Sequence, residues 1–287
     1  MAFRDFYYSS QEGLRLYARD YGARTSQKTP IVCLPGLTRN SKDFAALAGR
    51  LSIDRRVLCP DFRGRGKSEY AASWMDYTAT NEMRDTFDMM AAAGVDHAIF
   101  IGTSRGGLVT MTMGTARPTA IKGVIMNDVG PELDLAGVTR IMGYVGKMAP
   151  PKTWEEAAIL IRQMNDRHFP NMPGEKWHEF ARMTFRDEDG APASDYDPAI
   201  GLGLRRAAKL TRGKIPTMWN EFKSLSNIPM LLVRGENSDL LSKQTVQEMA
   251  DVHSNIKLVT AKDRGHAPFL DEPEVSMAID AFLAELP

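Results

Sequence analysis

The 287-residue chain has only two cysteines, Cys33 and Cys59. Two are too few for a disulfide framework. With no histidine or cysteine cluster at ligand spacing, nothing points to a zinc site or any other metal. Both cysteines fall inside apolar stretches, as buried free thiols of a reducing compartment do. An excess of charge is missing as well. Lys plus Arg and Asp plus Glu each number 36, which leaves no global field to draw in nucleic acid or an anionic membrane. No apolar run is long enough to span a bilayer. The opening Met1-Ala2-Phe3-Arg4-Asp5 lacks the charged-then-apolar order of a secretion signal. Internal repeats and low-complexity tracts are also absent. These absences predict a cytoplasmic protein with a small-molecule substrate and no nucleic-acid or membrane partner. No feature of the sequence specifies an oligomeric state.

What is present is a rhythm of short apolar runs and amphipathic segments. Strands are expected at Phe3–Ser9, Leu14–Tyr21, Ile31–Leu34, Val57–Pro60, Ala98–Ile101, Gly123–Asn127, Met230–Arg234 and Lys257–Thr260. Helices are expected at Lys42–Leu51, Tyr77–Ala93, Arg105–Ala116, Lys243–Asp251 and Glu274–Leu286. Strand alternating with helix implies an α/β protein, a mostly parallel sheet covered on both faces. From Glu132 to Asn227 the rhythm breaks and the pattern reads as helical throughout, punctuated by Pro150-Pro151, Pro170, Pro173 and Pro216. Residues 1–131 and 228–287 are therefore read as a core domain, and 132–227 as a helical cap, or lid, inserted into it. The cap is rich in methionine and aromatic residues, among them Met142, Met148, Trp154, Met164, Phe180 and Trp219, which suit an adaptable apolar pocket.

The most informative residues are Gly102-Thr103-Ser104-Arg105-Gly106, between an expected strand and an expected helix. In that context G-x-S-x-G forms a nucleophile elbow. The serine backbone is strained there, and positions two before and two after it must carry no side chain. Ser104 is then a hydroxyl at a strand's carboxyl end, backed by a helix N-terminus that favours negative charge. A serine hydroxyl needs a neighbouring base, and His266, just past the last expected strand, is the candidate. A carboxylate must orient that imidazole. Asp239, in the loop after Met230–Arg234, is favoured, with Asp128 after Gly123–Asn127 as the alternative and Glu236 a further loop carboxylate. Asp128 also reads as a capping or turn residue ahead of Gly130-Pro131.

One segment invites a different reading. Gly66-Lys67-Ser68 resembles the end of a phosphate-binding loop, but Asp61 stands where that motif requires its first glycine. A structural turn accounts for it better, and no cofactor is expected.

With these motifs together the chain resembles the α/β-hydrolase superfamily along nearly its whole length. Leu34-Pro35-Gly36-Leu37-Thr38 is similar to the family's oxyanion-hole loop, and Asp61-Phe62-Arg63-Gly64-Arg65-Gly66-Lys67-Ser68 to its D-x-R-G-x-G-x-S turn. The resemblance implies an eight-stranded α/β-hydrolase fold, with backbone N–H groups of Leu37 and Arg105 as oxyanion donors. Pro35, Thr103 and Arg105 depart from common family residues at their positions, which bears on substrate choice and leaves the backbone donors intact. The implied activity is hydrolysis of a carboxylic ester or lactone of a mainly apolar small molecule through an acyl-enzyme on Ser104. Cleavage of a carbon–carbon bond by the same triad is one alternative; a non-catalytic binding protein on a hydrolase scaffold is another.

Overall fold

The computed structural model describes residues 2–211 and 213–287; Met1 of the opening stretch and Arg212 within the inserted segment lie outside the described residues. The chain begins with strands β1 (Arg4–Ser9), β2 (Arg15–Tyr21) and β3 (Ile31–Leu34). It continues through α1 (Ala45–Leu51), β4 (Val57–Asp61), α2 (Ala79–Ala93), β5 (Ala98–Thr103), α3 (Arg105–Ala116) and β6 (Ile121–Asn127). The inserted segment holds α4 (Leu135–Tyr144), α5 (Trp154–Asn165), α6 (Gly174–Thr184), β7 (Phe185–Glu188), β8 (Ala191–Ser194), α7 (Ile200–Leu210) and α8 (Trp219–Lys223). The chain closes with β9 (Met230–Gly235), α9 (Lys243–Val252), β10 (Ile256–Ala261) and α10 (Pro273–Ala284).

Eight strands form one sheet in the order β1-β2-β4-β3-β5-β6-β9-β10. β2 pairs antiparallel with both neighbours, and the remaining pairs are parallel. Period-2 alternation divides the interior into two layers. Val32 and Leu34 face one layer, with residues of α2, α3, α8 and α9. Ile31 and Cys33 face the other, with α1 and α10. Cys33 and Cys59 are buried and free. Among the described residues, no helix is long and apolar enough to cross a membrane.

Helix ends follow local chemistry. Thr78 caps α2 by accepting from the Asn81 N–H, and Gly94, at φ +68°, closes it in the left-handed conformation that glycine tolerates best. The Asp61–Ser68 turn is likewise stitched shut. The Asp61 carboxylate accepts from the N–H groups of Ser41 (2.8 Å) and Lys67 (2.9 Å), and the Ser68 hydroxyl donates to the Asp61 carbonyl (2.6 Å).

The inserted segment differs from the expectation of helices throughout. β7 and β8 form an antiparallel hairpin across Asp189-Gly190, both at positive φ. Asp-Gly is the usual sequence of a two-residue hairpin turn, and that local signal outweighs the helical surroundings.

Helix α3 crosses the sheet very closely. A Cβ added to Gly102 would lie 2.6 Å from the Gly107 nitrogen, and one on Gly106 would lie 2.1 Å from the Leu34 carbonyl oxygen. Both obstacles are backbone, with no side chain free to rotate away. Gly106→Ala should therefore lose about 3 kcal/mol or more of stability. Urea unfolding followed by circular dichroism measures this, and a wild-type midpoint would mean that α3 can shift off the sheet.

Candidate active site

The tight crossing of α3 imposes an unusual backbone on Ser104, which has φ +51° and ψ −112° as it links β5 to α3. A non-glycine residue in this region is strained and must be held by its surroundings. Here the Ser104 N–H donates to the Asn127 carbonyl of β6 (3.1 Å), and Gly107 and Leu108 donate back to the Ser104 carbonyl. The hydroxyl is thereby fixed at the carboxyl edge of the sheet.

His266 enters from the loop after β10. Its Nε2 lies 2.8 Å from Ser104 Oγ, and its Nδ1 lies 2.9 Å from Asp128 Oδ2. Asp128 is the first residue beyond β6, at φ +55°, and its side chain is wholly buried. Two further donors satisfy the carboxylate: the Gly235 N–H to Oδ1 (2.8 Å) and the Ser238 hydroxyl to Oδ2 (2.6 Å). Each carboxylate oxygen thus has a hydrogen-bond donor, as a buried polar group requires.

The preference for Asp239 as the partner of His266 is thus corrected. Asp239 does lie on this sheet edge, but Arg140 of α4 holds its carboxylate in a two-pronged pair (Nε–Oδ2 2.6 Å, Nη2–Oδ1 2.8 Å). The physical reason is position. The turn after β9 spends Gly235 and Ser238 on Asp128, which carries Asp239 outward to the inserted segment. Asp128 follows β6, the immediate neighbour of β5, so its carboxylate begins one strand from the serine. The signal in the sequence was its place directly at that strand's end. The competing claim of Arg140 lies 99 residues away from Asp239 and has no local signature. Glu236 is also elsewhere, accepting the Asp263 N–H.

Among the described residues, no acceptor engages the N–H of Leu37 or of Arg105. Both residues border the space in front of Ser104. Two cavities meet there, with Leu37, Ser104 and Ile141 on the walls of both. One, of about 150 Å³, includes His266, Arg39, Arg140, Asn165, Phe180 and Met183. The other, of about 230 Å³, is mainly aliphatic, walled by Leu108, Leu133, Val138, Met142, Leu204 and Ile215. Sequence reasoning overlooked Arg39, in the loop after β3, and Arg140 and Asn165, on α4 and α5, because isolated polar residues in loops and amphipathic helices look like surface. Trp154 instead packs against the inserted segment's own cluster, and Trp219 against the sheet's.

Residues 31–278 match the alpha/beta hydrolase family, and the chain belongs to it. It is 32% identical over 262 residues to a 3-hydroxybutyrate-oligomer hydrolase of Cupriavidus necator, spanning 88% of this chain and 87% of that protein. A 2-(acetamidomethylene)succinate hydrolase of Mesorhizobium japonicum is 25% identical over 255 residues, 86% of this chain and 85% of its own. The crystal structure of an alpha/beta hydrolase from Novosphingobium aromaticivorans superposes with a TM-score of 0.90 at 40% identity, covering 99% of each chain. The chain is an enzyme of the α/β-hydrolase class.

The Arg140–Asp239 pair has a testable pH signature. Burial pushes the Asp239 carboxyl up, but the Arg140 guanidinium outweighs this and holds it below the ordinary carboxylate value. A lowered folded-state pKa contributes stability above the unfolded value, about 3.9, and loses it as pH falls through the folded value. Asp239→Asn should lower Tm by about 2–4 °C at neutral pH, as for a loss near 1 kcal/mol in a large domain. That gap should close on acidification below the unfolded value. An unchanged gap would show that charge is not what the pair contributes.

Proposed function

We propose that this enzyme is a serine esterase acting through an acyl-enzyme on Ser104, with Asp128, not Asp239, as the acid. The observation that carries this reading is the unbroken series Asp128–His266–Ser104, with contacts of 2.9 and 2.8 Å. His266 takes the Ser104 proton as Oγ attacks the ester carbonyl carbon, and the Asp128 carboxylate stabilises the imidazolium. The carbonyl oxygen becomes an oxyanion, held by the N–H groups of Leu37 and Arg105, which have no competing acceptor among the described residues. As the tetrahedral species collapses, the bond to the alcohol oxygen breaks and His266 returns its proton to that oxygen. Water, deprotonated by the same imidazole, then cleaves the acyl-enzyme to release the acid and restore Ser104.

His266 borders the smaller cavity and not the larger. Because His266 must protonate the leaving oxygen, the alcohol part lies in the smaller cavity, near Arg39, Arg140 and Asn165. The acyl chain then occupies the aliphatic cavity. Residues 132–227 act as a cap in this reading, supported by the walls that α4, α5, α6 and α7 give to the two spaces. A lactone offers the same reacting group in a ring. The 3-hydroxybutyrate oligomers in the name of the Cupriavidus relative are esters whose leaving part carries a polar terminus, and are the first natural compounds to assay.

Ser104→Ala should lower turnover of p-nitrophenyl butyrate by roughly 10³-fold or more with Tm little changed. Asp128→Asn should cost on the order of 10³-fold or more, and Asp239→Asn far less. Steady-state rates decide the matter: a crippled Asp239→Asn beside a mild Asp128→Asn would reverse the assignment. Val138→Trp, which narrows the aliphatic cavity, should reduce kcat/KM for a hexanoate ester by about tenfold relative to acetate. Equal loss on both would put the acyl chain elsewhere.

A further inference from the structure

Arg105 departs from its common family counterpart, and its side chain enters a buried ionic cluster that the proposed mechanism does not use. Glu82 of α2 is wholly buried, and its Oε2 accepts from Arg105 Nε at 2.6 Å. Its Oε1 lies 2.9 Å from Nη2 of Arg65, also wholly buried, a charge contact too poorly aligned to be a hydrogen bond. Arg65 Nε donates in turn to the Leu37 carbonyl at 2.8 Å, and its Nη1 to the Arg63 carbonyl at 2.7 Å. One carboxylate thus bridges Arg105 directly and Leu37 through Arg65. These are the two residues assigned as oxyanion donors, and they come from separate places, the start of α3 and the loop after β3.

We propose that Glu82 is a positioning residue that sets the spacing of the oxyanion hole, through Arg105 on one side and Arg65 on the other; this rests on the esterase reading. A backbone N–H stabilises developing charge only where its direction is fixed beforehand. The strain at Ser104 orients the Arg105 N–H from one side alone. The Glu82–Arg105 pair anchors the same residue from its side chain. The Leu37 carbonyl, on the same residue as the other donor, is held by a guanidinium that Glu82 itself retains. Breaking a buried pair leaves an uncompensated charge, so disturbing Glu82 moves both arms together.

The experiment compares full-length wild type with Glu82→Gln, Arg105→Met and the double variant. It reads kcat and KM on p-nitrophenyl butyrate, and Ki for a trifluoromethyl ketone, which forms a hemiketal with the serine and fills the oxyanion hole. Each single variant should lower kcat by about 10–100-fold with KM within about threefold, since the hole acts on the transition state. The ketone Ki should rise by the same factor as kcat falls. The double variant should lose no more than the worse single one, because both act through one cluster. Folded variants with kcat and Ki near wild type overturn the proposal, as does a fall in kcat without a matching rise in Ki. If Glu82→Gln does not fold, Arg105→Met decides by the same two readings, since it leaves Arg65 and Glu82 as a neutral pair. A wild type that neither hydrolyses the ester nor binds the ketone overturns the esterase reading and this proposal with it. Wild-type turnover with indifferent variants overturns this proposal alone.

Discussion

Everything at this sheet edge depends on how closely α3 lies against the ends of β3 and β5. There is no room for a side chain at Gly102 or Gly106, and a Cβ on Gly107 would meet Val129 at 2.3 Å. That proximity bends the backbone at Ser104 to φ +51° and lifts its side chain out of the sheet. It also brings the Ser104 N–H onto the Asn127 carbonyl, which registers the elbow against β6 and hence against Asp128. Strain of this kind persists only where the surroundings over-determine it. Here those surroundings are two fully buried hydrophobic layers and a helix with nearly every face covered.

Buried charge is the second constraint, and it is handled by pairing. Asp20 of β2 is gripped by Arg56, Arg4 and Arg24, and Arg63 is paired with Asp85 in a two-pronged contact of 2.7 Å at each prong. Such pairs contribute little net stability over apolar replacements, but breaking one is costly, so they favour one arrangement of elements over its neighbours. The Arg63 pair ties the turn after β4 to α2, the helix that also carries Glu82. The same device therefore orders structure around the site and far from it.

The core was legible because its signals are local. Short continuous apolar runs such as Ile31-Val32-Cys33-Leu34, and the glycine spacing around Ser104, state their structure within a few residues. The place of His266 at the sheet edge was legible for the same reason, soon after a strand in a glycine-containing loop. The carboxylate that meets His266 was harder, since two carboxylates end two strands on one edge and local sequence does not say which one another residue will capture. Arg140 made that choice across a long stretch of chain. The β7–β8 hairpin had a local signal in Asp189-Gly190, but the helical composition around it led to an expectation of helix. Trp154 and Trp219 were misjudged as pocket walls because a large aromatic on an amphipathic helix suits either side of that helix.

The inserted segment is fastened to the core by more than its two chain connections. Just past the hairpin, the Asp195 carboxylate meets Asn40 and Lys42 (both 2.7 Å), and the Asp195 carbonyl accepts from the Gly66 N–H. Tyr196 bridges to Arg65, and Asp197 accepts from the Tyr77 hydroxyl at 2.5 Å. Lifting the segment as one rigid flap would break all of these partly buried contacts at once. Helices α4 and α7 are different: each buries few of its side chains, and Leu135, Leu202 and Leu210 lie exposed on them. Separating α4 and α7 from their surroundings would therefore cost less than opening the hairpin side, where several contacts must break together.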